Sequence, residues 1–339
     1  MATVADPVGT GDPAGRAESP GPESPGTVLV TGAGEAAGIA VVRALAGRYR
    51  VVATDSDPAA VGLLLADTAE VLPPGGHLDR PRRVAELAAR TGATALVCTV
   101  PEEIPALVDA ADRLAAAGLR TWLPAPRAVT RCIDKWAFAQ TCAAAGIPTP
   151  ATALGADWVR CPARVPGPWI VKPRYGRGSR DVHRADSARQ VRQALDLVPE
   201  PIVQNRLSGP EFTVDALVDR SGRPAGVVAR WRLETDGGIS TRGRTFTAPA
   251  LGCAVAHLLG AFGLDGQANV QGFRTGPEAY TFTDVNPCFA AGLALSLAAG
   301  ADFIGEYLRG VAGLPPRPQR LVARPGVTMV RHLTEVFAE

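Results

Sequence analysis

The period of the apolar positions changes along the chain. Val28-Leu29-Val30 reads as a short buried strand, Gly32-Ala33-Gly34 as a turn, and residues 38–47 as a helix packed through Ile39, Val42 and Leu45. Val51-Val52-Ala53 is a second strand ending at Asp55, and helix 82–91, strand 95–98 and helix 102–117 follow. Strand–helix alternation at this spacing predicts a parallel sheet with crossover helices. Pro124 and Pro126 mark a boundary. Asp134-Lys135 then opens an Ala-rich helix that stops near Gly146 and Pro148. Trp169-Ile170-Val171-Lys172 is a strand running into a glycine-containing loop, followed by helix 187–197 and strand Ile202-Val203-Gln204.

Beyond residue 210 the pattern turns antiparallel. Segments 212–218 and 225–233 flank the turn 219–223 and read as a hairpin, and segments 269–273 and 280–285 flank a second turn at 275–278. Helix 248–262 lies between the hairpins. A helix over 293–311, a Pro-rich connector and a strand near 327–331 close the pattern. The fold class is therefore α/β, becoming α+β in the C-terminal part.

Composition narrows the reading. Of 339 residues 46% are apolar, enough for a sizeable core, and the length suggests about two domains. Residues 1–26 hold five Pro and five Gly with almost no bulky apolar group, so they are expected to be disordered. Lys+Arg 35 against Asp+Glu 33 leaves +2, which argues against a nucleic-acid partner. No apolar run approaches the roughly 18 residues of a membrane span, and no basic-then-apolar secretory signal opens the chain. Six cysteines without CxxC spacing and four scattered histidines fit neither a zinc site nor a disulfide framework. A cytoplasmic protein is expected.

Five segments could carry chemistry. Gly32, Gly34 and Gly38 follow a strand and open a helix, with Asp55 about 20 residues on; this nears the dinucleotide fingerprint, but its last spacing is one residue too long. Tight strand–helix packing explains the same glycines. Lys135 and Lys172, with the loop Gly176-Arg177-Gly178-Ser179-Arg180, could hold phosphate oxygens through ammonium groups and close-lying backbone N–H donors; the competing reading is a solvated basic loop. In Tyr280–Asn286, period-two alternation puts Tyr280, Phe282, Asp284 and Asn286 on one face. Hairpin register would set Gln271 opposite Asp284, giving three oxygen ligands for a hard cation such as Mg²⁺, with phosphate and water completing the octahedron. Residues 204–207 could present backbone groups to an adenine edge, and Glu211 could accept from a ribose hydroxyl. Arg230 and Arg232 share a strand face ahead of Gly238-Ile239-Ser240, and arginine suits carboxylate or phosphate. Arg230, Arg232 and Ser240 are thus the candidate catalytic groups.

Taken in order, these pieces resemble the ATP-grasp superfamily, and within it the ligases related to the carbamoyl phosphate synthase large subunit. The carrying residues are Asp134-Lys135, Gly146-Ile147-Pro148, Val171-Lys172-Pro173, Gly176 to Ser179, Gln204, Gly209-Pro210-Glu211, Gly238-Ile239-Ser240, Asn269-Val270-Gln271 and Asp284-Val285-Asn286-Pro287. The resemblance implies a pre-grasp α/β domain over 27–125, a lid subdomain over 126–203 and a C-terminal subdomain over 204–339, with ATP between the last two. It implies that a substrate carboxylate is phosphorylated by ATP and that an amine or similar nucleophile displaces the phosphate. Lys135, Lys172, Arg177, Gly178 and Ser179 would hold the phosphates, Gln204 to Leu207 the adenine, Glu211 the ribose, and Gln271, Asp284 and Asn286 the Mg²⁺ or Mn²⁺. Partners would be a small carboxylic acid and an amine, and dimers are common in this class. Several positions depart from the pattern. Cys288 stands where Arg usually follows Asn-Pro, Asp284 where Glu is usual, Asp181 where Gly is common, and Gln204 in place of an acid. Two competing readings are a degenerate ATP-grasp protein that binds nucleotide without efficient ligation, and an NAD(P)-dependent oxidoreductase using the first domain.

Overall fold

The structure, a computed structural model, describes residues 26–176 and 178–338. All of the proline-rich tail except Gly26 lies outside the described residues. The first sheet contains β1 (Thr27–Thr31), β2 (Arg50–Asp55), β3 (Thr68–Val71) and β4 (Ala95–Cys98), all parallel, in the order β3-β2-β1-β4. Strands β1, β2 and β4 are buried on both faces along their apolar runs. β3 was not legible, because its four residues alternate between half-buried and exposed at the sheet edge.

A second sheet pairs β5 (Thr152–Leu154), β6 (Trp169–Pro173), β7 (His183–Ala185) and β8 (Pro201–Asn205) in the antiparallel order β5-β8-β6-β7. The third is a six-stranded antiparallel sheet of β9 (Glu211–Val218), β10 (Pro224–Asp236), β11 (Ile239–Phe246), β12 (Gly266–Arg274), β13 (Tyr280–Asn286) and β14 (Thr328–Val330), ordered β13-β12-β9-β10-β11-β14. Both expected hairpins form.

Along β9 the side chains divide strictly. Phe212, Val214, Ala216 and Val218 pack with Val270, Phe282 and Val285 against helices Pro249–Phe262 and Lys135–Ala144. Each buried Phe contributes about 2–3 kcal/mol. The opposite face carries Thr213, Asp215 and Leu217. Its apolar end joins a second core shared with the first sheet and helix Phe303–Val311. Tyr307 fixes that joint: its hydroxyl donates to the carbonyls of Leu96 (3.2 Å) and Trp122 (3.3 Å).

Two predicted helices are interrupted. Residues 102–117 form a 3₁₀ turn (Pro101–Glu103) and helices Ile104–Asp109 and Ala111–Ala116. Pro105 has no N–H with which to continue a helix from the preceding turn. The stretch 293–311 splits into Leu293–Ala298 and Phe303–Val311. Gly300 at φ +108° ends the first, and Asp302 caps the second by accepting from the Gly305 N–H at 3.0 Å.

Candidate functional site

Strands of the second and third sheets, with segments that follow β1 and β4 of the first, line one cleft of about 680 Å³. One wall is the β12–β13 ladder, in which Gln271 lies opposite Asp284 and Asn269 opposite Asn286. All four side chains line the cleft. The expectation of a single Tyr280–Phe282–Asp284–Asn286 face is corrected by the structure. A bulge between Gln271 and Gly272 leaves Thr283 without a partner. A bulge resets the period of two. Tyr280, Phe282 and Val285 therefore turn to the apolar core, while Thr283, Asp284 and Asn286 turn to the cleft.

Another part of the lining comes from β6 and the loop after it. Lys172 lines the cleft at the end of β6. Desolvation by the cleft walls pulls its ammonium down to about 8; Asp284 opposes the fall and Lys135 adds to it. Lys135 begins helix Lys135–Ala144, and its Nζ donates to the Gly176 carbonyl at 2.6 Å. The preceding Asp134 caps this helix by accepting from the N–H groups of Trp136 (2.9 Å) and Ala137 (3.2 Å). It also accepts from Arg174 Nε (2.8 Å) and the Tyr175 hydroxyl (3.2 Å). Burial works against the Asp134 charge, but Arg174 and the two helix N–H donors outweigh it and hold the carboxyl below its ordinary range. One buried carboxylate thus ties the helix start to the glycine loop. Gly178 and Ser179 line the cleft from that loop, both at positive φ. Arg177 lies outside the described residues.

Gln204 and Leu207 line the next part of the wall, and the Gln204 amide donates to Thr152 Oγ1 at 2.9 Å. Glu211 and Arg232 meet inside the cleft, Nε to Oε1 at 3.0 Å. Burial pushes the Glu211 carboxyl up, and Arg232 holds part of that back. Arg232 also donates to the Gly238 carbonyl at 2.9 Å.

Two candidates are not brought to the cleft surface. Arg230 is 2% exposed and pairs with Asp215 at 2.7 Å. Ser240 is buried and donates to the Arg242 carbonyl at 3.0 Å. Arg230 nevertheless sits just behind the cleft, because its Nη1 lies against Gly292, next to the lining residues Ala290 and Ala291. Arg331 reaches the same loop. Its Nε donates to the Ser240 carbonyl (2.9 Å) and its Nη2 to that of Ala291. Burial lowers the Arg331 guanidinium, and the neighbouring Arg230 charge lowers it further. Asn269 was missed as a lining residue, although its place two positions before Gln271 on one strand was a usable signal.

The opening glycine turn is engaged by its own chain. Asp55 accepts from the Gly34 N–H (2.7 Å), the Ser56 N–H (2.7 Å) and the Asp57 N–H (3.0 Å). A Cβ on Gly38 would stand 2.1 Å from the Gly32 carbonyl oxygen, so these glycines allow close strand–helix approach. The turn's exit supplies Glu35 and Ala37 to the cleft wall.

Gln271, Asp284 and Asn286 present one carboxylate and two amides. Among the described residues, no group of three or more His, Cys, Asp or Glu could hold a metal. So lightly charged an oxygen set fits a hard cation that brings phosphate oxygens with it, and not a tightly resident ion.

Two family models match the chain. One, described as ATP-grasp in the biosynthetic pathway with Ter operon, spans residues 198–336; the other, described as ATP-grasp domain, spans residues 132–243. Together the two ATP-grasp models cover residues 132–336, and this part of the chain belongs to the ATP-grasp superfamily. An uncharacterized protein of Sinorhizobium fredii, y4rH, is 28% identical over 222 residues. That match covers 56% of this chain but 44% of the relative, so the chain spans under half of that protein's length. Solved structures share the fold at low identity. A biotin carboxylase–beta-gamma-ATP complex from Campylobacter jejuni has a TM-score of 0.70 at 13% identity, covering 89% of this chain and 74% of that one. An L-amino acid ligase from Bacillus licheniformis has 0.68 at 15%, covering 89% and 78%. The N5-carboxyaminoimidazole synthetase of Staphylococcus aureus complexed with ADP has 0.68 at 13%, covering 86% and 79%.

Proposed function

We propose that the chain is an ATP- and Mg²⁺-dependent ligase that activates a small carboxylic acid and joins it to an amine or similar nucleophile. One observation carries this reading: Lys135 and Lys172 line the same cleft as Gln271, Asp284 and Asn286. Phosphoryl transfer needs little beyond in-line positioning and neutralised oxygens. Lys135, Lys172 and the N–H groups of Gly178 and Ser179 would hold the triphosphate, with Gln204 and Leu207 at the adenine and Glu211 at the ribose. Mg²⁺ held by Gln271, Asp284 and Asn286 would supply further charge neutralisation. A substrate carboxylate oxygen attacks the γ-phosphorus, the bond to the bridging oxygen breaks, and ADP leaves. The amine then attacks the acyl carbon and inorganic phosphate departs.

Cys288 lines the cleft where the resembled ligases usually carry Arg. Buried Arg230 and half-buried Arg331, behind the Ala290–Ala291 loop, support a different source of positive charge at that end of the cleft. We read residues 27–125, 126–203 and 204–339 as the three functional units, acting in the cytoplasm. Among the described residues no helix is long and apolar enough to cross a membrane.

The deciding experiment screens carboxylic acids and amines for ADP release, with products identified by mass spectrometry. Acid-dependent ADP formation that needs an amine for full turnover is expected. Asp284→Ala is expected to abolish it. ADP formation at background across a broad panel would favour the non-ligating alternative, for which Cys288 speaks.

A further inference from the structure

A carboxylate that no step above uses lies behind the cleft. Asp215, on β9, is 3% exposed. Its Oδ1 accepts from Arg230 Nη2 at 2.7 Å and from Asn269 Nδ2 at 2.9 Å, and its Oδ2 accepts from Ser296 Oγ at 2.6 Å. Asn269 is fully buried. Besides Asp215, its Nδ2 reaches Thr213 Oγ1 (2.8 Å) and the Val214 carbonyl (3.3 Å). The other end of the same amide, Oδ1, accepts from Thr213 Oγ1 at 3.2 Å and from Gln271 Nε2 at 3.4 Å.

This chain of bonds has a direction. An ionised carboxylate can only accept, so Asn269 must turn its N–H₂ toward Asp215. Its oxygen is then left facing Gln271, and a carbonyl oxygen can only accept, so Gln271 must turn its own N–H₂ back. The Gln271 oxygen is what remains for the cleft, opposite Asp284. We infer that Asp215 is a positioning residue that fixes the orientation of two successive amides, so that Gln271 presents oxygen and not N–H to a divalent cation. The inference rests on the assignment of Gln271, Asp284 and Asn286 to that cation.

Without Asp215 the Asn269 N–H₂ keeps only the longer Val214 carbonyl contact (3.3 Å) and Thr213 Oγ1, which can donate as well as accept, so both amides could rotate in place with little change of shape. Gln271 would then direct its N–H₂ at Asp284, a favourable bond in the metal-free cleft that a cation would have to break. Partners that orient ligands in this way typically change metal affinity about 10–100-fold when removed.

The test follows binding and not turnover. Mn²⁺ is titrated into the full chain with ADP, and bound metal is read by electron paramagnetic resonance. Asp215→Leu keeps roughly the same volume but removes both acceptor oxygens, and should weaken Mn²⁺ about tenfold or more, while ADP binding without metal stays unchanged. Ser296→Ala removes a different donor from Asp215 and should lower the melting temperature with Mn²⁺ affinity intact. The discriminating variant is Asp215→Leu combined with Gln271→Glu. A glutamate has no N–H to misdirect and the released Asn269 amide can turn to donate to it, so Mn²⁺ affinity should return.

Wild-type Mn²⁺ affinity in Asp215→Leu would overturn the inference. So would an equal loss in Ser296→Ala, or no recovery in the double variant. If Asp215→Leu does not fold, Asn269→Ala cuts the same relay one link nearer the cleft and carries the same expectations. If the wild type itself binds no Mn²⁺ with ADP, or Asp284→Ala binds it as well as wild type, the cation assignment falls and the inference with it. An unperturbed Asp215→Leu beside a weakened Asp284→Ala sinks the relay alone.

Discussion

Under the proposed function, Lys172 makes nucleotide binding dependent on pH. Its ammonium titrates near 8 in the empty cleft, chiefly because the walls remove it from water. A bound triphosphate would place several negative charges beside it and return it toward its ordinary value of 10.5. At pH 7 the group is already charged and binding takes up almost no proton. Above 8 each binding event must protonate a neutral amine, so affinity falls by up to tenfold per pH unit, and at pH 9 it should be about tenfold below its value at pH 7. The effect on folding has the opposite sense. A lysine whose folded value lies below its unfolded one destabilises the fold at low pH, and this penalty fades as pH rises from about 8 to 10.5. Its upper size is roughly 3 kcal/mol, reduced by the partial exposure of the side chain. Calorimetric titration with ADP from pH 7 to 9.5, in buffers of different ionisation enthalpy, reads both affinity and proton uptake. Lys172→Met should bind more weakly at pH 7 and show a flat profile. A wild-type affinity that is constant over this range, or a profile that Lys172→Met retains, would refute the reasoning.

Three further outcomes follow from packing. Asp134→Ala removes a helix cap and the partner of Arg174, and should lower stability by about 2–3 kcal/mol in urea denaturation. Because the Asp134 carboxyl is held low when folded, its contribution is present above the ordinary 3.8 and lost as pH falls below it, so the variant should unfold less steeply in acid. Gly292→Ala would place a Cβ 1.7 Å from Arg230 Nη1. Displacing Arg230 from Asp215 should cost about 3 kcal/mol or more, seen as a large drop in melting temperature. Gly38→Ala meets the rigid Gly32 carbonyl at 2.1 Å and should cost about 1–3 kcal/mol.

What could be read from the sequence divides along a physical line. Alternation and turn chemistry are local, so both hairpins and the Gln271–Asp284 register followed from residues within one pair of strands. The lysine-bearing strand β6 and the capped start at Asp134 were equally local. What failed was long-range or depended on a single extra residue. One bulge at Thr283 is enough to move Phe282 away from the Asp284 face, and nothing in Tyr280-Thr281-Phe282-Thr283 signals it. Arg230 and Arg232 look equivalent as alternate residues of one strand. Yet β9 gives Arg230 the buried Asp215 and Arg232 the half-exposed Glu211, which puts one behind the cleft and the other in it.

Asp215 shows the limit most clearly. In Phe212-Thr213-Val214-Asp215-Ala216 it reads as a polar position on an alternating strand, where a solvated carboxylate is the default. The fold instead covers that face with Ser296 of helix Leu293–Ala298, 81 residues downstream, and Asn269 of β12, 54 residues downstream. A buried ion left without such partners would cost several kcal/mol. Its neighbours must therefore supply donors, and the direction in which they donate then fixes the amide ends that reach the cleft. The polarity of the cleft wall is thus set one layer below it, by contacts that no local pattern encodes.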